Sequence, residues 1–105
     1  MTDRELLELA AKAAGIPVRD LDSRYDCWEE TPVLIHRAWN PLTDDGDAFR
    51  LAVNLRLEVD IGHDGIAVRT PQGHKILIHA AEQADPHIAT RRAIVRAAAE
   101  MGEAM

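Results

Sequence analysis

Arginine side chains that could bind anions are concentrated near the C-terminus of the chain, at Arg91, Arg92 and Arg96. A guanidinium group matches carboxylates and phosphates with paired hydrogen bonds, and a basic helix face is one way in which small proteins contact nucleic acid. The net charge of the whole chain is −6, however, and this charge repels a polyanion at long range. Nucleic-acid binding through these arginines is therefore an alternative function rather than the leading prediction.

The helical positions of the three arginines predict different roles for them. Arg92 and Arg96 fall on the polar side of a predicted last helix, and Glu100 follows Arg96 at the spacing of a helical ion pair. Arg91 falls beside the apolar Ile94, so its charge needs an anionic partner. A salt bridge within the protein is the favoured interpretation, and the candidate carboxylates are Glu58, Asp60 and the cluster at 44–47.

Five histidines raise the question of a metal site. His74 and His79 would point to opposite faces of one strand, so they do not form a ligand pair. His63 with Asp60 or Asp64 would be the ligand set of a small metal-dependent hydrolase, which is a second alternative function. Solvated or turn histidines are the simpler interpretation, and we expect neither a metal nor a cofactor.

The segment from 18 to 40 holds three of the four aromatic side chains of the protein, namely Tyr25, Trp28 and Trp39. Such rings are costly to leave in water. Trp39 precedes a predicted helix and is expected in the core, whereas Trp28 lies among acidic residues and is the better candidate for an exposed anchor in an interface. The single cysteine, Cys27, rules out an internal disulfide and fits a reducing compartment.

The length and composition indicate one globular domain that covers 1–105. Of the 105 residues, 47% are hydrophobic and 29% are charged, which disfavours intrinsic disorder. No stretch reaches the about 18 to 20 apolar residues of a membrane span, and the first residues lack the pattern of a signal peptide, so we expect a cytoplasmic protein. The sequence contains none of the common phosphate-loop, nucleophile-elbow or zinc-protease motifs.

Capping residues mark the ends of the predicted first helix. Thr2 and Glu5 have the spacing of a capping box, in which both side chains accept hydrogen bonds from the first turn. Gly15 tolerates the left-handed conformation that ends many helices, and Pro17 cannot continue the helix. We therefore predict an amphipathic helix of about three turns between these residues.

A second helix is predicted after the acidic stretch at 44–47. Carboxylates are favourable there because the first N–H groups of a helix are unpaired and carry partial positive charge, so capping explains the cluster without a bound cation. The apolar residues that follow cover more than half of the helical wheel, and we expect this helix to be largely buried. These residues are Ala48, Phe49, Leu51, Ala52, Val53 and Leu55.

Alternating apolar residues between 57 and 80 predict a three-stranded antiparallel meander with turns at 63–65 and 71–73. One face of this sheet is apolar and the other is mixed, so one face should meet the helices and the other should be partly solvated. A last helix is predicted to begin at Asp85 and Pro86 and to run to about Met101, with Gly102 as its end. The element order α-α-β-β-β-α predicts an α+β fold, in which a free sheet edge or an exposed helix face could also support a dimer.

Two blocks of the chain resemble a known family: WNPLTDDGDAFRLAV at 39–53 and ATRRAIVRAAAE at 89–100. They are similar to the phage ABA sandwich domain family of small phage and prophage proteins. This resemblance implies a bacteriophage-encoded protein with a layered α/β/α sandwich fold. A third layer would cover the mixed face of the sheet, either with the Tyr25 to Ile35 segment and one helix or incompletely.

The leading functional prediction is a non-enzymatic phage accessory protein that binds a host or phage protein in the host cytoplasm. It rests on the small size, the lack of a catalytic constellation, an acidic surface suited to a basic partner, and the aromatic-rich segment. The candidate partner-binding residues are Tyr25, Trp28, Arg91, Arg92 and Arg96.

Overall fold

A computed structural model of the protein describes residues 2–16 and 39–105. These residues form three helices and one three-stranded sheet, which confirms the predicted α+β class and the order of its elements. The elements are α1 (Asp3–Ala14), α2 (Asp45–Asn54), β1 (Glu58–Ile61), β2 (Gly65–Arg69), β3 (Lys75–His79) and α3 (Pro86–Glu103).

The predicted caps of α1 are both present. The backbone N–H of Glu5 donates to Thr2 Oγ1 at 3.1 Å, and the N–H of Thr2 donates to Glu5 Oε1 at 2.7 Å. The hydrogen bond from the Thr2 backbone N–H, followed by that from the Thr2 side chain, holds the pKa of the Glu5 carboxyl below its usual value. Gly15 ends the helix at a φ of 76°, the left-handed conformation that a side chain would disfavour.

The sheet is the predicted antiparallel meander, with the strands in the order β1-β2-β3. Its inner face contacts α3 through side chains that are almost fully buried, namely Ile66, Val68, Ile76 and Ile78. The outer face, which we define by Glu58, Asp60, Arg69, Lys75, Leu77 and His79, is exposed. The layer predicted to complete an α/β/α sandwich includes the Tyr25 to Ile35 segment, which lies outside the described residues, so the sandwich stays a prediction.

Helix α3 is the centre of the domain, because α1 and α2 both pack on it and it crosses mainly β2 and β3. The sequence-based end of this helix at Gly102 is wrong, since α3 continues to Glu103. Gly102 is buried, and a Cβ atom at this position would clash with the carbonyl oxygen of Leu9. The glycine therefore allows the backbones of α1 and α3 to touch.

Helix α2 is only half-buried, which corrects the prediction that it is largely buried. Ala48, Leu51 and Ala52 are in the core, but Phe49 is 69% exposed and Val53 is 53% exposed. The helix packs on α3, and β1 makes too few contacts with it to cover the rest of its apolar surface. Two large apolar side chains of α2 are thus left facing solvent.

Candidate functional site

An open groove of about 750 Å³ lies between α2 and β1, and the N-terminal half of α3 forms its floor. We call it the α2–β1 groove. Phe49 and Val53 of α2 form one wall, and Val59 and Ile61 of β1 form the other. Thr90 and Ile94 contribute to the floor.

The walls of the groove hold most of the large apolar side chains that the described residues expose. Ile61 is 61% exposed and Val59 is 36% exposed, in addition to Phe49 and Val53. A single exposed apolar side chain is ordinary on a soluble protein, but a contiguous apolar patch marks a surface that contacts another molecule. Polar side chains line the groove only where α2 and α3 begin, and among the described residues these are Asp45, His87, Thr90 and Arg91. The rest of the lining is apolar, so the main interaction that the groove offers is apolar burial.

The turn between α2 and β1 holds the two walls apart. The N–H of Leu57 donates to the carbonyl oxygen of Ala52 at 2.9 Å, and the N–H of Arg56 donates to that of Val53 at 3.2 Å. This pair of bonds closes the end of α2, with Arg56 in the left-handed region at a φ of 59°. The chain then turns back into β1, so β1 runs at the border of the sheet beside α2.

Arg91 lies at one end of the groove, and its guanidinium group forms hydrogen bonds with two neighbouring residues. Its Nε donates to the carbonyl oxygen of Leu42 at 2.9 Å, and its Nη1 donates to Asp45 Oδ1. Its side chain is 16% exposed. The predicted salt bridge between Arg91 and the acidic cluster is confirmed, and it ties α3 to the start of α2.

The acidic cluster caps α2, as predicted. Asp44 accepts a hydrogen bond from the N–H of Asp47 at 2.8 Å. Asp47 accepts one from the N–H of Asn40 at 3.0 Å and pairs with Arg50 at 2.9 Å. The carboxylates therefore have partners that fix the entry of the chain into α2.

The other two arginines do not form a common surface with Arg91. Arg92 donates to Asp3 at 2.9 Å and thereby contacts α1 rather than α2. Arg96 is exposed and forms no ion pair with any described residue. The predicted pair between Arg96 and Glu100 is wrong, because Glu100 instead contacts Nδ1 of His74 at 3.0 Å.

The alternative metal-ligand set has no supporting geometry in the part of the chain that the structure describes. Among residues 2–16 and 39–105, no three His, Cys, Asp or Glu side chains come close enough together to hold a metal ion. His63, Asp60 and Asp64 are each exposed around the hairpin between β1 and β2. They lie within five residues of one another in sequence, but they do not form a group that could hold a metal ion.

Two of the aromatic residues singled out in the sequence, Tyr25 and Trp28, lie outside the described residues, as does Cys27. Their roles stay predictions. Trp39 is 8% exposed, which confirms its place in the core. Within the described residues, none of the helices is both long and apolar enough to cross a membrane.

Sequence reasoning did not find the groove, although a signal for it was present. The apolar arc of α2 is wider than one helix contact can bury, and Phe49 and Val53 form its outer margin at the spacing of four residues. Val59 and Ile61 alternate on the shortest strand of the sheet. Nothing in either pattern shows that the two sets face one another across a gap.

Comparisons of the chain with models of known protein families, with curated proteins and with solved structures gave no match.

Proposed function

We propose that this protein is a non-enzymatic interaction module that binds another protein through the α2–β1 groove. The observation that carries the proposal is the contiguous exposure of Phe49, Val53, Val59 and Ile61 along the two walls of one groove. Covering these side chains removes apolar surface from water, which is the main driving force of protein association. The groove is open to solvent, so a segment of a partner protein can reach its walls.

The chemistry of the groove favours a protein over a nucleic acid. Among the described residues, Arg91 is the one guanidinium that lines the groove, and that group already binds Asp45 and Leu42. The walls offer neither cations for phosphates nor a dense set of hydrogen-bond donors for bases. The net charge of −6 adds long-range repulsion against a polyanion.

The resemblance to the phage ABA sandwich domain family supports a host or phage protein as the partner. A phage-encoded accessory protein of this kind would bind a host or phage protein in the host cytoplasm. The acidic balance of the chain favours a partner whose binding segment is basic.

The test compares two variants that place the same charge on two different faces. Phe49→Glu puts a carboxylate into the groove, and Leu77→Glu puts one on the outer face of the sheet, where Leu77 is 46% exposed. Both positions are exposed, so both variants should keep the fold, which circular dichroism verifies. Wild-type protein and the two variants are immobilised and incubated with infected-cell lysate, with and without nuclease.

The proposal predicts a stoichiometric partner that survives nuclease, is retained by Leu77→Glu and is lost from Phe49→Glu. Equal retention by the two variants would show that the groove is not the binding surface. Loss of all bound protein with nuclease would favour the nucleic-acid alternative instead.

A further inference from the structure

Among the described strands β1 lies at one edge of the sheet, and this edge borders the α2–β1 groove. The hydrogen-bonding groups of the edge can be assigned from the hairpin. The N–H of Gly62 donates to the carbonyl oxygen of Gly65 at 2.9 Å, so these two residues form a hydrogen-bonded pair. In an antiparallel ladder the main-chain groups of successive residues point alternately to the two sides. The main chains of Glu58 and Asp60 therefore point to β2, and those of Val59 and Ile61 point to the free edge.

The same two residues supply one wall of the groove. Val59 and Ile61 lie opposite Val68 and Ile66 in the ladder, so their side chains are on the inner face with the core residues. Within residues 2–16 and 39–105, the N–H and carbonyl groups of Val59 and Ile61 have no hydrogen-bond partner. A segment that lies along β1 could therefore form main-chain hydrogen bonds with Val59 and Ile61 and bury their side chains at the same time.

Two carboxylates flank this edge on the outer face. Glu58 lies opposite Arg69 and contacts it at 3.5 Å. Asp60 lies opposite Ala67 and forms no ion pair in the described part of the chain. A residue added next to Asp60 on this side would meet an unpaired negative charge within the reach of a cross-strand pair.

We propose that the groove accepts an extended, basic segment of the partner as a fourth strand beside β1. The inference rests on the proposed function and names the kind of segment that the site recognises. Alternate apolar side chains of the segment enter the groove, and the intervening Lys or Arg residues lie on the outer face opposite Asp60. Main-chain bonds to Val59 and Ile61 fix the register of the segment.

The charges at this edge disfavour a second copy of the chain as the added strand. A symmetric antiparallel pairing that uses the main-chain groups of both Val59 and Ile61 places Asp60 directly opposite Asp60 of the second copy. Like charges in that position destabilise a strand pair. A basic segment would instead place a Lys or Arg side chain opposite Asp60, and these opposite charges attract.

The experiment selects short random peptides from a display library on four proteins: wild type, Asp60→Lys, Glu103→Lys and Phe49→Glu. Glu103 is exposed near the end of α3, so Glu103→Lys makes the same charge change away from β1. Wild type and Glu103→Lys should select peptides in which apolar residues alternate with Lys or Arg. Asp60→Lys should select Asp or Glu at the intervening positions, with affinity for the basic peptides lowered about fivefold.

A second measurement uses one selected basic peptide and the amide protons of β1. Binding should slow the hydrogen exchange of the Val59 and Ile61 amides, because a fourth strand bonds to both. The amides of Glu58 and Asp60, which already face β2, serve as the internal control.

The failure of this inference is distinguishable from the failure of the proposed function. Peptides that need Phe49 but show helical spacing, or that keep the same charge on wild type and Asp60→Lys, would overturn the added strand and leave the groove as a binding surface. Peptides that bind Phe49→Glu as well as wild type would overturn both.

Discussion

The two flanks of α3 differ in how completely they are packed. On the α1 side, small side chains and Gly102 allow the helices to meet so closely that the backbone of α3 touches Leu9. On the α2 side, large side chains such as Phe49 and Val53 extend into an open groove. The same helix therefore forms a sealed contact on one flank and the floor of a groove on the other.

This difference shows that the amount of apolar surface does not by itself decide what is buried. The sealed flank buries Leu6 and Leu7 of α1, and its alanine and glycine residues allow close approach of the helices. The open flank also carries large apolar side chains, but it leaves Phe49 and Val53 in contact with water. Folding alone gains little from those side chains, so their contribution is to be sought in binding.

The largest expected change in stability comes from truncating a buried side chain of α2, and truncation of an exposed side chain of the same helix is its comparison. Leu51 is 2% exposed, and Leu51→Ala should lower the free energy of unfolding by about 2–5 kcal/mol through lost burial and a cavity. Phe49→Ala should change the same quantity by no more than about 0.5 kcal/mol, since its ring is mostly in water already. Urea unfolding of both variants checks this, and a large loss for Phe49→Ala would mean that the groove is part of the core.

The close contact between α1 and α3 should be disrupted by a single added methyl group. Gly102→Ala places a Cβ atom against the carbonyl oxygen of Leu9 and should lower the free energy of unfolding by about 1–3 kcal/mol through forced separation of α1 and α3. Gly62→Ala is the matched control, because a Cβ there meets its nearest atom at 3.6 Å, an ordinary contact. Similar thermal denaturation of the two variants would show that the α1 flank is not tightly closed.

The connection at the end of the groove depends on Arg91. Arg91→Ala leaves the buried carbonyl of Leu42 without its donor and removes the pair with Asp45, so we expect a loss of about 1–2 kcal/mol in unfolding free energy. Arg96→Ala should change it by less than about 0.5 kcal/mol, because Arg96 is exposed. Denaturant titrations that rank Arg96 above Arg91 would contradict this assignment.

The smallest effect concerns the cap of α1 on the sealed flank. The folded-state pKa of Glu5 is lowered, so the carboxylate adds stability at pH above its ordinary value of 4.5, and this stability disappears as the pH falls through the lowered pKa. Glu5→Gln should therefore be less stable than wild type at neutral pH and equal to it in strong acid. Unfolding curves across this pH range check the sign, and a constant difference would remove Glu5 from the account.

Local features of the fold could be predicted because each depends on a few neighbouring residues. The capping box of Thr2 and Glu5, the cap at Asp44 and the alternation of the strands all follow from short-range geometry. Gly102 and Phe49 were misassigned because their environment depends on which distant element lies nearby. The sequence pattern shows that Gly102 is near a helix end and that Phe49 is on the apolar side of α2. It does not show that α1 packs against Gly102 or that a groove lies beside Phe49.

The same reasoning separates the candidate sites. The partner of Arg91 could be predicted because a charge next to apolar residues must be paired within the fold. The groove could not be predicted, since it depends on the distance between α2 and β1, which the turn around Arg56 sets. The need of one residue for an ion-pair partner can be predicted from the sequence, whereas a surface formed between two elements cannot.

Calorimetry with purified proteins measures the affinity of the captured partner for the two glutamate variants and so tests whether the α2–β1 groove is the binding surface. We expect Phe49→Glu to raise the Kd at least about tenfold, equivalent to about 1.4 kcal/mol, and Leu77→Glu to leave it close to the wild-type value. Equal affinities for the two variants, or a larger loss for Leu77→Glu, would contradict the claim that the open flank of α3 is the binding surface.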